Sequence, residues 1–326
     1  MKTKILITLL AIVALAGCTM PNIPGVGITP GTNLGAGNGL EIISFSVEPS
    51  TVFGNGTVRL VLESQNKGGT TVPYNKAFVY LTGTNINLSS TDEDSWHGKN
   101  QSAGSNDIKS IRGFTKNMTT DDAVKGTTAV IERFMWNLIA PTLPAGQTRQ
   151  DTFIARIYNN YSSGVNGNIW VYTQAEADAT KSAGRALKTS SFTTVVGPVA
   201  VSVKVTPDPV ILYGETTFTF NIQVTNTASG TIYKDTAITD YTSATQTLAF
   251  DSDSDLNHVY ISVDSPGLTI TECIGDNPIL GGKSLTSVCT AAIQGTMPPF
   301  KSFPVSVMAK YGYYTESEVS VTVQGK

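Results

Sequence analysis

The feature that most constrains this chain is an internal repeat. Ile43-Ser44-Phe45-Ser46-Val47-Glu48-Pro49 is followed by Val52, Gly54, the run Val58 to Leu62, and Asn66. Val201-Ser202-Val203-Lys204-Val205-Thr206-Pro207 is followed by Val210, Gly214, the run Phe218 to Ile222, and Asn226. Prolines and asparagines recur at a spacing of 158 to 160 residues. Later, Ala155-Arg156 before Tyr158 and Tyr161 echoes Ala309-Lys310 before Tyr311, Tyr313 and Tyr314, 154 residues on. Similar beginnings and ends at nearly one spacing mark a duplicated unit. The boundary is expected near Gly197-Pro198, giving units at 40–197 and 198–326.

Each unit carries the period-two alternation of half-buried strands. In the first it runs over Glu41–Glu48, Val58–Ser64, Ala77–Leu81, Ala129–Leu138, Thr152–Tyr158 and Asn168–Thr173. In the second it runs over Ala200–Thr206, Thr216–Thr225, His258–Val263, Leu268–Glu272, Ser302–Tyr311 and Ser317–Val323. Gly, Pro, Asn and Asp separate these segments as turn signals. About seven short antiparallel strands per unit is the expectation for an immunoglobulin-like sandwich. The Ala-rich stretch Gln174–Leu187 is the one strong helix candidate. The expected fold class is therefore all-β, with two tandem immunoglobulin-like β-sandwiches.

The opening of each unit resembles the CARDB-like family of immunoglobulin-fold modules. The likeness rests on a strand, a Pro, a Gly, a second strand and an Asn-x-Gly turn, here Asn66-Lys67-Gly68. In the second unit the turn departs to Asn226-Thr227-Ala228. The resemblance spans about 30 residues of each unit. It implies architecture and a setting among archaeal and bacterial surface proteins, where such modules are mostly adhesive or spacer domains, and it implies no ligand.

Ahead of the repeats lies a secretory signal. Lys2 and Lys4 form a positive start, Ile5 to Leu15 is apolar apart from Thr8, and small residues precede Cys18. The apolar run is shorter than the roughly 20 residues that span a bilayer. Leu15-Ala16-Gly17-Cys18 resembles the lipobox of prokaryotic lipoproteins. That resemblance implies removal of residues 1–17, diacylglycerol on Cys18, and an anchor on the outer face of the cell membrane. Two acyl chains hold a protein there, because each buried CH2 contributes about 0.8 kcal/mol. Residues 18–39, rich in Gly, Asn, Thr and Pro, are expected to be a flexible tether reaching some tens of ångströms.

Composition narrows the function classes. Charged residues are 14% of the 326 and the net charge is −3. No basic patch of the density needed for nucleic acid is present. Besides Cys18 there are Cys273 and Cys289. An even pair in an exported chain is expected to form a disulfide, closing a loop short enough for about 3 kcal/mol of stabilisation. Five Asn-x-Ser/Thr sequons, at Asn55, Asn87, Asn100, Asn117 and Asn160, all fall in the first half and are candidate glycosylation sites.

Catalytic signatures are missing from the sequence. Its two histidines, His97 and His258, flank no nucleophile elbow and form no zinc helix. Gly281-Gly282-Lys283-Ser284 imitates the end of a P-loop but has Asn277 where the first Gly belongs, so it is expected to be a surface turn. Asp251, Asp253 and Asp255 alternate as calcium ligands do, although Leu256 and Ser262 break the EF-hand pattern. A polar insertion, 85–125, carries Asp92-Glu93-Asp94, Trp96 and His97. Loops of that length are functional or disordered, which makes it the first place to look for binding. The tyrosines at 158, 161, 311, 313 and 314 are expected either to pack or to line a sugar- or peptide-binding face. The expectation is a non-enzymatic surface lipoprotein without cofactor, meeting protein or glycan partners. The alternative is a ligand- or calcium-binding lipoprotein serving a transporter or envelope partner.

Overall fold

The computed structural model describes residues 39–68, 71–102, 105–120, 128–195, 197–238 and 254–326. The expected signal peptide, Cys18 and all but the last residue of the tether lie outside them. Eight strands precede the helix among the described residues: β1 (Leu40–Glu48), β2 (Thr51–Phe53), β3 (Thr57–Asn66), β4 (Ala77–Gly83), β5 (His97–Gly98), β6 (Ile111–Gly113), β7 (Ile131–Ile139) and β8 (Thr148–Thr173). Helix α1 (Gln174–Ser182) follows. Then come β9 (Ser191–Val195), β10 (Val199–Val205), β11 (Val210–Leu212), β12 (Thr217–Asn226) and β13 (Thr231–Tyr233). The last are β14 (His258–Asp264), β15 (Leu268–Thr271), β16 (Gly275–Pro278), β17 (Ser284–Ile293) and β18 (Phe300–Gln324).

The fold is all-β and its two sandwiches repeat one topology. One four-stranded sheet has the order β1-β3-β7-β5, and the other has β10-β12-β17-β15. A ten-stranded sheet, with the path β16-β14-β18-β8-β4-β6, faces both. In the first sandwich Val58, Leu60 and Leu62 of β3 alternate inward with no exposed surface. They meet Phe153 and Ile157 of β8 and Val323 of β18 in one core. In the second, Phe220, Ile222 and Val224 of β12 meet Ile169 of β8 and Phe303 and Val305 of β18. The repeat asparagines close equivalent turns: Asn66 Oδ1 accepts from Gly68 N at 2.9 Å, and Asn226 Nδ2 donates to the Gly230 carbonyl at 3.0 Å.

One finding differs from the reading of the sequence. Thr152–Tyr158 and Asn168–Thr173 belong to a single strand of 26 residues, β8. Ser302–Tyr311 and Ser317–Val323 likewise merge into the 25-residue β18. The two pair antiparallel from Phe300↔Tyr172 to Gln324↔Thr148. Asn159-Asn160, which looks like a turn, sits inside the ladder opposite Tyr313 and Gly312. The physical reason is phase. Phe153, Ala155 and Ile157 face one core and Val165, Ile169 and Val171 the other, all odd-numbered, so the pleat runs on without a break.

Each long strand therefore serves both sandwiches. β8 runs beside β4 in the first and then beside β9 and β11 in the second. β18 runs beside β14 in the second and then beside β2 in the first. Core membership consequently does not change at 197/198. Val165, Ile169 and Val171 precede that point yet line the second core, while Val321 and Val323 line the first. The helix is also shorter than expected. It ends at Ser182 because Gly184, with φ +68, terminates it.

Strand exchange predicts a non-local effect of truncation. Removing residues 316–326 should abolish hydrogen-exchange protection in β1, β3 and β7 and leave β10, β12 and β17 protected. Loss of protection confined to the second sandwich would contradict the exchange.

Candidate functional site

The tyrosines collect where β8 and β18 pass from one core to the other. Tyr161 lies opposite Tyr311, and Tyr158 opposite Tyr314. Because successive residues point to opposite faces, they form two sets. On the inner face the Tyr161 and Tyr311 rings stack at 6.1 Å. Each hydroxyl holds the first residue of a four-stranded sheet's opening strand: Leu40 N of β1 donates to Tyr161 Oη at 2.5 Å, and Val199 N of β10 donates to Tyr311 Oη at 3.2 Å. Gly230 N donates to Tyr313 Oη at 2.6 Å. On the opposite face Tyr158 stacks against Phe78 at 5.1 Å and meets Tyr233 edge-on at 5.8 Å. Gly312 is required there, since a Cβ would fall inside the Tyr233 ring.

These phenols are structural. Tyr158, Tyr311 and Tyr313 are buried. Burial raises the pKa of Tyr158, Tyr161 and Tyr311 far above the ordinary phenol value, and that of Tyr313 to about 12. Tyr161 and Tyr314 are partly buried; the Arg156 guanidinium covers the Tyr314 ring at 5.5 Å while pairing with Glu316 at 2.8 Å. Of the two readings offered for this set, packing is the one the geometry fits.

The segment expected as an insertion, 85–125, contains two sandwich strands, β5 and β6. Trp96 and His97 are buried within it rather than presented to a ligand. Trp96 Nε1 donates to Asp151 Oδ2 at 2.8 Å, and Arg149 pairs with the same oxygen at 3.0 Å. His97 Nδ1 lies 3.1 Å from the Ser95 carbonyl. Asp107 Oδ1 accepts from Asn137 N at 2.9 Å, and Trp136 Nε1 donates to the Lys109 carbonyl at 2.9 Å. These ties lay the segment against the first sandwich, which its polar composition concealed. A cavity of about 320 Å³ remains beside it, lined by Tyr80, Thr82, Asn87, Leu88, Ile108 and Ser110.

The remaining expected residues are placed as follows. Cys273 and Cys289 form a disulfide with sulfurs 2.04 Å apart, fully buried in the second core. Gly281 and Gly282 form a turn of positive φ just before β17. Asp251 and Asp253 lie outside the described residues. Asp255 is described, and its carbonyl accepts from Lys234 N at 2.7 Å. The Lys234 ammonium is raised in pKa mainly by its 2.7 Å hydrogen bond to Asp276, with Asp255 and Asp235 adding to it. Among the described residues, no group of three or more His, Cys, Asp or Glu is placed to hold a metal.

The sequons separate by exposure. Asn55, Asn87, Asn100 and Asn117 are exposed. Asn160 is half-buried in the ladder of β8, and its Nδ2, the atom a glycan would take, donates to the Asp235 carbonyl at 3.2 Å.

No protein-family model and no curated protein matches the chain. Among solved structures it is similar to native Escherichia coli alpha-2-macroglobulin, at 8% identity and TM-score 0.21, covering 88% of this chain and 17% of that one. A Salmonella alpha-2-macroglobulin mutant gives 8% identity and TM-score 0.21, with 89% and 17% covered. Red sea bream transglutaminase gives 10% and 0.17, with 87% and 31% covered. The chain thus spans less than a third of the length of each. Similarities of this size carry no functional argument.

Two outcomes follow from this geometry. The phenol pKa values are raised on folding from 10.0, so their stabilising effect is complete below pH 10 and is lost as pH rises further. The urea midpoint should hold steady from about pH 8 to 9 and fall above about pH 10, with tyrosinate absorbance from Tyr158, Tyr161, Tyr311 and Tyr313 appearing together with unfolding. Free titration of all tyrosines in the folded state would contradict this. In a host that glycosylates exported chains, mass spectrometry should find glycan at exposed sequons and none at Asn160.

Proposed function

We propose that this chain is a non-catalytic cell-surface lipoprotein acting in adhesion, envelope structure or assembly of a surface complex. Leu15-Ala16-Gly17-Cys18, placed directly after an apolar signal segment, is the observation that carries the reading. Cleavage before Cys18 and attachment of diacylglycerol to its thiol would fix the protein to the outer face of the cell membrane. The Gly- and Pro-rich tether would then hold the sandwiches away from the lipid.

The buried disulfide fits an oxidising, exported setting. Two buried carboxylates help hold the first sandwich together: Asp151 binds Trp96 and Arg149, and Asp107 binds Asn137. Sandwiches of this kind offer sheet faces and strand edges to protein or glycan partners. Four exposed sequons on the first half would, if used, leave the second half the barer one.

The test is Cys18→Ser. The wild-type protein should partition into the detergent phase and carry a diacylglycerol mass increment. The variant should appear unprocessed or in the aqueous phase. Unchanged detergent partitioning of the variant would refute the anchor.

A further inference from the structure

In a conventional tandem of sandwiches, a single peptide linker is what keeps the second unit attached to the first. This chain is joined differently. β8 carries Val165, Ile169 and Val171 into the second core, and β18 returns Val321 and Val323 to the first. The covalent connection between the halves is α1 and the segment 183–190, which contains no strand. Arg185 in that segment is exposed. Cys273 and Cys289 both lie beyond it, so no disulfide ties the halves together.

We propose that the two halves are a reciprocally strand-exchanged pair whose attachment does not depend on the peptide between them. Cutting after Arg185 would leave one fragment holding β1 to β8 and α1, and a second holding β9 to β18. To part, they must withdraw one strand from each core at the same time. They must also break the ladder that runs from Thr148↔Gln324 to Tyr172↔Phe300. The buried apolar side chains and the backbone N–H and C=O groups exposed by that step resist it. Together with the anchor proposed above, on which this consequence rests, the second half stays displayed at the membrane after such a cut.

The folded full-length protein supplies the test. A specific protease sequence is inserted between Gly184 and Arg185, and the protein is cut after folding, so that assembly itself is not perturbed. On native size exclusion both fragments should elute together at the uncut volume and separate only in denaturant. On membranes carrying the anchored protein, both fragments should sediment after cleavage. Elution of the second fragment alone, or its release while the first stays bound, overturns the proposal. Release of both fragments together, with co-elution intact, refutes the anchor and supports the exchange.

Discussion

The antiparallel pairing of β8 with β18 is the constraint on which the rest of the molecule depends. It is one ladder, but its two ends close different cores. Each end supplies a strand that the neighbouring four-stranded sheet needs as a wall. Backbone groups buried in the ladder are paired along its length, and leaving any of them unpaired in the interior would cost about 1–3 kcal/mol. The odd-numbered side chains meet both cores from one face of the sheet. The even-numbered Tyr158 joins Phe78 and Tyr233 on the other.

The crossing point is where such an arrangement is most exposed to failure. A hairpin between the two halves of β8 would have satisfied local sequence preference, since Asn159-Asn160 is a good turn pair. The tyrosines oppose that outcome. Tyr161 and Tyr311 tie the first residues of β1 and β10 to the straight strands, so opening either strand would strand a backbone N–H. Such pairing joins residues far apart in sequence. Its loop-closure entropy must be met before the contacts form, which favours slow folding and late completion of the first sandwich. The result is a body whose two ends share one sheet.

Much of the local structure was legible in the sequence. The positions of β1, β3, β12 and β14, the disulfide, and the turn at Gly281-Gly282 follow from alternation, cysteine pairing and glycine placement, whereas β17 was not read from the sequence. The polar segment around Trp96 and His97 was harder to read. Its strands β5 and β6 are two and three residues long, too short for period two to register. Asp107 within it, and Asp151 of β8 beneath it, look like surface residues until their partners at 137 and 96 are known. The unbroken phase of odd-numbered apolar residues through β8 was the one available clue to exchange, and the turn-like Asn and Gly residues masked it.

The sequence by itself determined that this chain is built from a duplicated β unit, because repeats and period are local properties. Only the tertiary structure decided which half completes which core. A β-strand is compatible with any partner that continues its pleat, and the choice between folding back and running on lies in contacts 128 to 176 residues apart. Those contacts, and the tyrosine hydroxyls that secure them, turn two repeats into one reciprocally closed body.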